Sequence, residues 1–180
     1  GYNVEAAVQV SHAISVQKVT VEEDYFTAVD DLNRRDVDAG AAHIGVNEFA
    51  SGLFYIYLCI DKNLLQTNLS GDSTFMNKSL QALTEAALTT APSGMQNSFA
   101  SRAYASYVLS EKGSRQPRTL ATAFLDPVQE GDMLGKAIKA LETTKENMNA
   151  VYGTCAENEY VLDAHNGQGN LNDLLSFVSE

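Results

Sequence analysis

The sequence predicts an α+β domain on three observations. Apolar residues alternate with small or polar ones near the N-terminus, a continuous apolar run fills "GLFYIYLCID", and two later stretches carry apolar residues at helical spacing. At 180 residues the chain is long enough for a core that needs neither a disulfide nor a metal.

In chain order, "VEAAVQVSHAISV" (4–16) places Val4, Ala6, Val8, Val10, His12, Ile14 and Val16 on one face of a half-buried strand. Residues 17 to 42 are polar and lack a sustained period, so they form an excursion between two core strands, a length more usual for a functional loop than for an idle link. Residues 52 to 61 form a central strand. A short helix at 63 to 69 ends at Ser70-Gly71, and Ser73 caps the next, whose stripe is Met76, Leu80, Leu83 and Ala87 before Pro92 and Gly94 stop it. A hairpin then pairs 104–109 with 118–124 around Gly113. Asp126, Pro127 and Gln129 open a further helix with Leu134, Ile138, Leu141, Met148 and Val151 inward. "EYVLDAH" makes a strand, and Leu171 to Phe177 a final helical turn. Strand, helix, hairpin and helix, with the N-terminal strand completing the sheet, is the split βαβ order of ferredoxin-like domains: one antiparallel sheet with helices on one face. Fold alone decides no function.

The formal charge of -11 argues against non-specific coating of DNA, which relies on lysine and arginine. Only the middle third, residues 61 to 125, has a basic surplus, with six basic against four acidic side chains. Arg102, Lys112, Arg115 and Arg118 are spaced to form one basic patch across the hairpin. Cys59 and Cys155 fit no ligand or redox spacing and are too few for a stapled secreted framework, so a reducing, cytoplasmic home is expected. No apolar run approaches a membrane span, and Gly1 stands where a start Met is expected, so the natural protein is expected to extend upstream.

No catalytic constellation assembles. His12, His43 and His165 are scattered, the Ser-Gly pairs at 51 and 93 are not nucleophile elbows, and Glu22-Glu23-Asp24 and Asp30-Asp31 match no cation loop. Neither catalytic nor metal residues nor a cofactor are therefore assigned. The adjacent Tyr25 and Phe26 leave two options open: packing into a core or subunit contact, or stacking on a nucleobase, which needs no particular base.

"VQVSHAIS" and "YFTAVDDLNRRDVDAGAAHIGVNEFASGLFYIYLCIDKNLLQTNL" resemble the C-terminal half of the CasC family, the repeated backbone subunit of the type I-E CRISPR surveillance complex called Cascade. The resemblance implies an RRM-like (ferredoxin-like) palm over 1–180, incomplete because its first strand and the fingers are missing, with residues 17–42 as a thumb-like insertion. It implies a non-catalytic subunit in antiviral defence. Copies of it assemble with other Cascade subunits into a helical filament along the guide RNA, meeting target DNA only through that guide. By the same resemblance Tyr25, Phe26 and Thr27 are the thumb residues beside a kinked nucleotide, and Gly94, Met95, Gln96, Asn97, Ser98 and Arg102 form the loop along the guide backbone. The family's loop tends to carry a lysine where Gln96 stands, with Arg102 further on. A purely structural oligomerisation domain and a ferredoxin-like enzyme domain are the alternatives.

Overall fold

Among the described residues, short strands that pair in twos organise the fold. The computed structural model describes residues 3–28 and 43–180. In order, the described elements are β1 (Val8–Val10), β2 (Ile14–Ser15), β3 (Glu22–Ala28), β4 (His43–Phe49), β5 (Phe54–Tyr55), β6 (Leu58–Ile60), α1 (Lys62–Asn68), α2 (Ser73–Thr89), the single turn α3 (Gln96–Phe99), β7 (Tyr107–Lys112), a 3-10 turn (Ala121–Phe124), α4 (Met133–Tyr152), β8 (Asn158–Asp163) and α5 (Leu171–Ser179). Among the described residues β1 pairs β6, β2 pairs β5, β3 pairs β4 and β7 pairs β8, all antiparallel. The result is a mixed α+β fold of small antiparallel sheets and helices.

The N-terminal strand does not keep one face. Val10 lies opposite Leu58 and Ile14 opposite Tyr55, so the first strand advances four residues while its partner advances three. One extra residue is a bulge, and a bulge exchanges the two faces of everything beyond it. Accordingly Ala7 and Val16, of opposite parity, are buried, whereas Val4 and Val10 are 65% and 59% exposed. Ala6 and His12 are exposed too, so the expected inward row holds only toward its Val16 end. The 52–61 run is also broken, into β5 and β6, and each has one partner strand among the described residues rather than the two of a central strand. Phe54 and Ile56 remain 57% and 51% exposed.

The first two helices start on aspartates. Asp61 accepts from Leu64 N at 2.9 Å, and Asp72, one residue before the expected Ser73, accepts from Phe75 N at 2.9 Å. Between them Ser70 and Gly71 take φ of 57° and 82°, which ends α1 in the left-handed region. Met76 and Leu80 are buried, but the stripe fades to an exposed Ala87. α2 packs against α5, whose Leu174 is wholly buried, and Gln81 Nε2 donates to Ser179 Oγ at 2.9 Å.

The expected hairpin is replaced by a long-range pair. β7 takes β8 as its partner, with Val108 opposite Leu162 and Leu109 opposite Val161. Alternation sends one row to each neighbouring helix. Tyr107 donates to Glu142 of α4 at 3.1 Å and Glu159 accepts from Lys145 at 3.0 Å, while Lys112 and Tyr160 face Phe177 of α5. Both faces of the ribbon are thus covered, and β7 is half-buried along its whole length. The arm expected to pair with it is held by β5 instead: Tyr55 Oη accepts from Leu120 N at 3.1 Å, its ring lies 5.4 Å from that of Phe124, and Leu120 is buried.

α4 begins later than the Asp126-Pro127 signal indicates. Val128 N donates to Val16 O at 2.8 Å and forms a parallel bridge with Gln17, which takes that segment out of the helix. Asp132 becomes the cap, accepting from Gly135 N at 3.0 Å. Ala137 and Leu141 are buried, and Val151, expected inward, is 74% exposed.

Candidate functional site

The described part of the excursion ends in β3, which pairs with β4 as a two-stranded ribbon. Its register runs from Glu22 opposite Phe49 to Ala28 opposite His43, and its second strand, His43–Phe49, lies wholly beyond the expected boundary at 42. Residues 29–42, including Asp30 and Asp31, lie outside the described residues.

Alternation separates the two adjacent aromatics. Phe26 shares a face with Glu22 and Asp24, opposite Gly45, Asn47 and Phe49; Tyr25 shares the other with Glu23 and Thr27, opposite Val46 and Glu48. Tyr25 is 66% exposed and Phe26 43%, so neither anchors a core. Phe26 lies over Gly45, where a Cβ would run into the ring. Tyr25 Oη donates to Glu23 Oε2 at 2.5 Å, and this bond to a carboxylate holds the phenol pKa above its ordinary value.

The second candidate segment is a tight loop around α3. Met95 and Ala100 flank it with φ of 56° and 49°, a left-handed conformation that costs a non-glycine residue about 1–2 kcal/mol. Gln96 holds it closed: its Nε2 donates to Pro92 O and to Ser101 O and Oγ, and its Oε1 is buried without a partner. That amide is committed to the loop, whereas Gly94, Met95, Asn97, Ser98 and Arg102 are exposed.

Phe49 and Phe99 bring the two segments together. Their ring centroids are 6.4 Å apart at the foot of the ribbon, and both rings stay partly exposed, 42% and 46%. Phe49 lies on the Phe26 face, so that face and the α3 loop form one surface. Sequence reasoning missed this pair; the available signal was the parity shared by Phe26 and its cross-strand partners.

The expected basic patch does not form. Arg118 grips Glu111 through two bonds of 2.5 and 3.0 Å and also reaches Asn149, with the pair about one-fifth exposed, and Glu111 raises the guanidinium pKa. Arg115 donates to the carbonyls of Tyr152 and Thr154 at the end of α4, and Lys112 to Phe177 O. The hairpin that was to align them is absent, so three of the four cations serve the fold.

Among the described residues no group of three or more His, Cys, Asp or Glu is placed to hold a metal ion, and Cys59 and Cys155 are free thiols. A hollow of about 410 Å³ between the 3-10 turn and α4 is lined by threonines, alanines, Lys136 and Lys139, with no carboxylate, histidine or cysteine. None of the described helices is long and apolar enough to cross a membrane.

The comparisons relate the chain to subunits of a multi-subunit complex. A family model described as "CT1975-like protein" matches residues 1–176. No curated protein sequence matches. A solved "CRISPR RNA-guided surveillance complex" is similar at a TM-score of 0.78 and 26% identity, over 95% of this chain and 70% of that one. Another, described as "pre-nicking", is similar at 0.79 and 26%, over 97% of this chain and 51% of that one. The chain thus spans about half the length of the second and 70% of the first. It is homologous to a subunit of such a complex. With nearly its whole length matched by one family model, the chain belongs to the CT1975-like protein family.

Proposed function

We propose that this chain is part of a non-catalytic backbone subunit, of the CasC kind in a type I-E Cascade, that assembles along the guide RNA and presents it for pairing with target DNA. The observation that carries this reading is the single surface formed by Phe26, Phe49 and the α3 loop. The β1/β6 and β2/β5 ladder with α1 and α2 is the RRM-like palm, and the β3/β4 ribbon is the thumb. Phe26 stacks on a base next to a kink, which requires no positive surface, and each stacked base contributes about 1–3 kcal/mol. Asn97 and Ser98, exposed on the loop, donate hydrogen bonds to guide phosphates, while Arg102 supplies the nearby positive charge. Such contacts hold the backbone and leave the base sequence unread, as a guide carrier requires.

Nuclease protection of RNA copurified with the full-length protein tests this. Phe26→Ala is expected to blur the regular protection steps and weaken guide retention by about 5- to 150-fold. Unchanged steps and retention in a folded variant would overturn the reading.

A further inference from the structure

Thr122 on the 3-10 turn and Lys136, Lys139, Thr143 and Thr144 on α4 surround the open hollow of about 410 Å³. On α4 these positions recur every three or four residues, so one face of the helix supplies both cations and two hydroxyl side chains. What sets the spot apart is positive charge left uncompensated in a chain with 23 acidic and 12 basic side chains. Asp132 stands four residues before Lys136 and Glu142 three after Lys139, the spacings at which a carboxylate meets a lysine along a helix. Both are turned to other partners. Asp132 accepts from Gly135 N at 3.0 Å and lies 4.0 Å from His165 Nε2, and Glu142 accepts from Tyr107 Oη at 3.1 Å. Among the described residues neither lysine enters an ion pair. Lys136 Nζ donates instead to the carbonyls of Gln129 and Glu130, at 3.4 and 2.5 Å. Those bonds order the ammonium, cancel none of its charge and leave it a third N–H. Lys145 on the same helix shows the contrast, since Glu159 neutralises it at 3.0 Å.

We propose that this hollow binds a phosphate of a nucleic-acid backbone, at a place built from none of the elements that form the Phe26 surface. Lysine and threonine side chains are among the usual donors to phosphate oxygens, and the lining offers two of the first and three of the second with no carboxylate to repel the anion. Its openness favours a polymer passing over it, because a small-molecule site encloses most of its ligand. No aromatic residue lines it, so bases are not stacked there and the contact reads backbone alone. From the proposed function the inference takes only that nucleic acid passes along the subunit.

Lysine acetylation of the full-length protein, mapped by mass spectrometry, tests the site with oligo(rU), oligo(dT) and inorganic phosphate as probes. An oligonucleotide should slow acetylation of Lys139, and the one that does so identifies the strand; equal protection by both means that the phosphate is bound without regard to its sugar. Inorganic phosphate at the same phosphate concentration should give no protection. Fluorescence anisotropy against salt supplies a second readout, in which Lys139→Gln lowers the slope of log K on log[salt] by about 0.7 for a single strand. Lys139 is exposed, so its substitution spares the fold, whereas Lys136 also holds the 129–130 carbonyls and is left intact. Acetylation of Lys139 indifferent to both oligonucleotides would overturn the inference. So would equal protection by inorganic phosphate, protection that needs another protein subunit and no nucleic acid, or a salt slope unchanged in Lys139→Gln and Lys139→Glu. In Phe26→Ala protein saturated with oligonucleotide Lys139 should stay protected, so failure of the stacking surface leaves the hollow standing, and failure at Lys139 leaves the stacking surface untouched.

Discussion

Gly45→Ala separates how the Phe26 ring is presented from whether it exists. The backbone of Gly45 is not in the left-handed region, so alanine is compatible with it, but the new methyl would run into the Phe26 ring and force it to swing away. Moving a side chain about 30° off its rotamer costs about 0.5–1.5 kcal/mol. Relief of the glycine entropy penalty within a strand offsets about 0.5–1 kcal/mol. Net stability should therefore change by less than about 1 kcal/mol. Guide binding should suffer far more, because a displaced ring forfeits its stacking, about 1–3 kcal/mol per base or about 5- to 150-fold in affinity. Filter binding of guide RNA to the full-length protein, run beside urea unfolding of the same samples, measures both quantities. Combining Gly45→Ala with Phe26→Ala should add nothing to the binding loss of Phe26→Ala alone. Undiminished guide binding by a folded Gly45→Ala protein would refute the reasoning, and so would full additivity in the double variant.

Other perturbations probe the supports of this surface. Phe49→Ala and Phe99→Ala should be coupled by about 0.5–1.5 kcal/mol in a double-mutant cycle of unfolding free energies, and strict additivity would mean the rings do not join ribbon and loop. Arg118→Ala leaves Glu111 without its partner in a half-buried setting; a loss of about 2 kcal/mol is expected, seen in calorimetry as a Tm lower by about 4–8 °C, whereas no shift would show the pair to be fully solvated. Asp163→Ala removes the acceptor of Asn166 N at 2.9 Å and Nδ2 at 2.7 Å and should cost about 1–3 kcal/mol near neutral pH. Because those bonds hold the Asp163 carboxyl below its ordinary pKa, its contribution is complete above about pH 4 and declines as pH falls through the lower folded value. Unfolding measured from pH 7 to pH 3 should accordingly show wild type and variant converging in acid.

Where a segment's own pattern matched its surroundings, its structure was legible. The strand at 158–163 and the helices α1, α2 and α5 lie close to where their periodicity and caps put them. The failures share a physical cause, competition from residues remote in sequence. The arm at 118–124 alternates well enough for a strand, but Tyr55 binds Leu120 and Phe124 while β8 offers β7 an apolar partner. Asp126-Pro127 is a sound helix start overruled by the bridge from Val128 to the N-terminal strand. The bulge between Val10 and Ile14 is invisible to a periodicity count, because the pattern on either side is intact and only its phase changes. At the ribbon, the alternation needed to place Tyr25 and Phe26 on opposite sides was present in "DYF", but only once the segment is known to be a strand does that spacing acquire meaning.

That division also bears on how so acidic a chain could serve an anionic ligand. Net charge is a property of the whole surface, while stacking and hydrogen bonding act over a few ångströms. Glu22 and Asp24 do share the Phe26 face, but Phe26 lies further along the strand, away from the end where they are paired with Phe49 and Asn47. At the foot, where the α3 loop is proposed to hold the guide phosphates, Glu22 and Asp24 oppose that contact. Lowering ionic strength should make their repulsion more marked, since exposed charges about 10 Å apart are screened at 0.1 M salt and interact more strongly below it. Glu22→Gln combined with Asp24→Asn should strengthen guide binding at low salt and leave it unchanged near 1 M, where the Debye length is about 3 Å. A gain that persists at high salt would instead indicate that the two carboxylates touch the guide directly, and that the effect is not long-range repulsion.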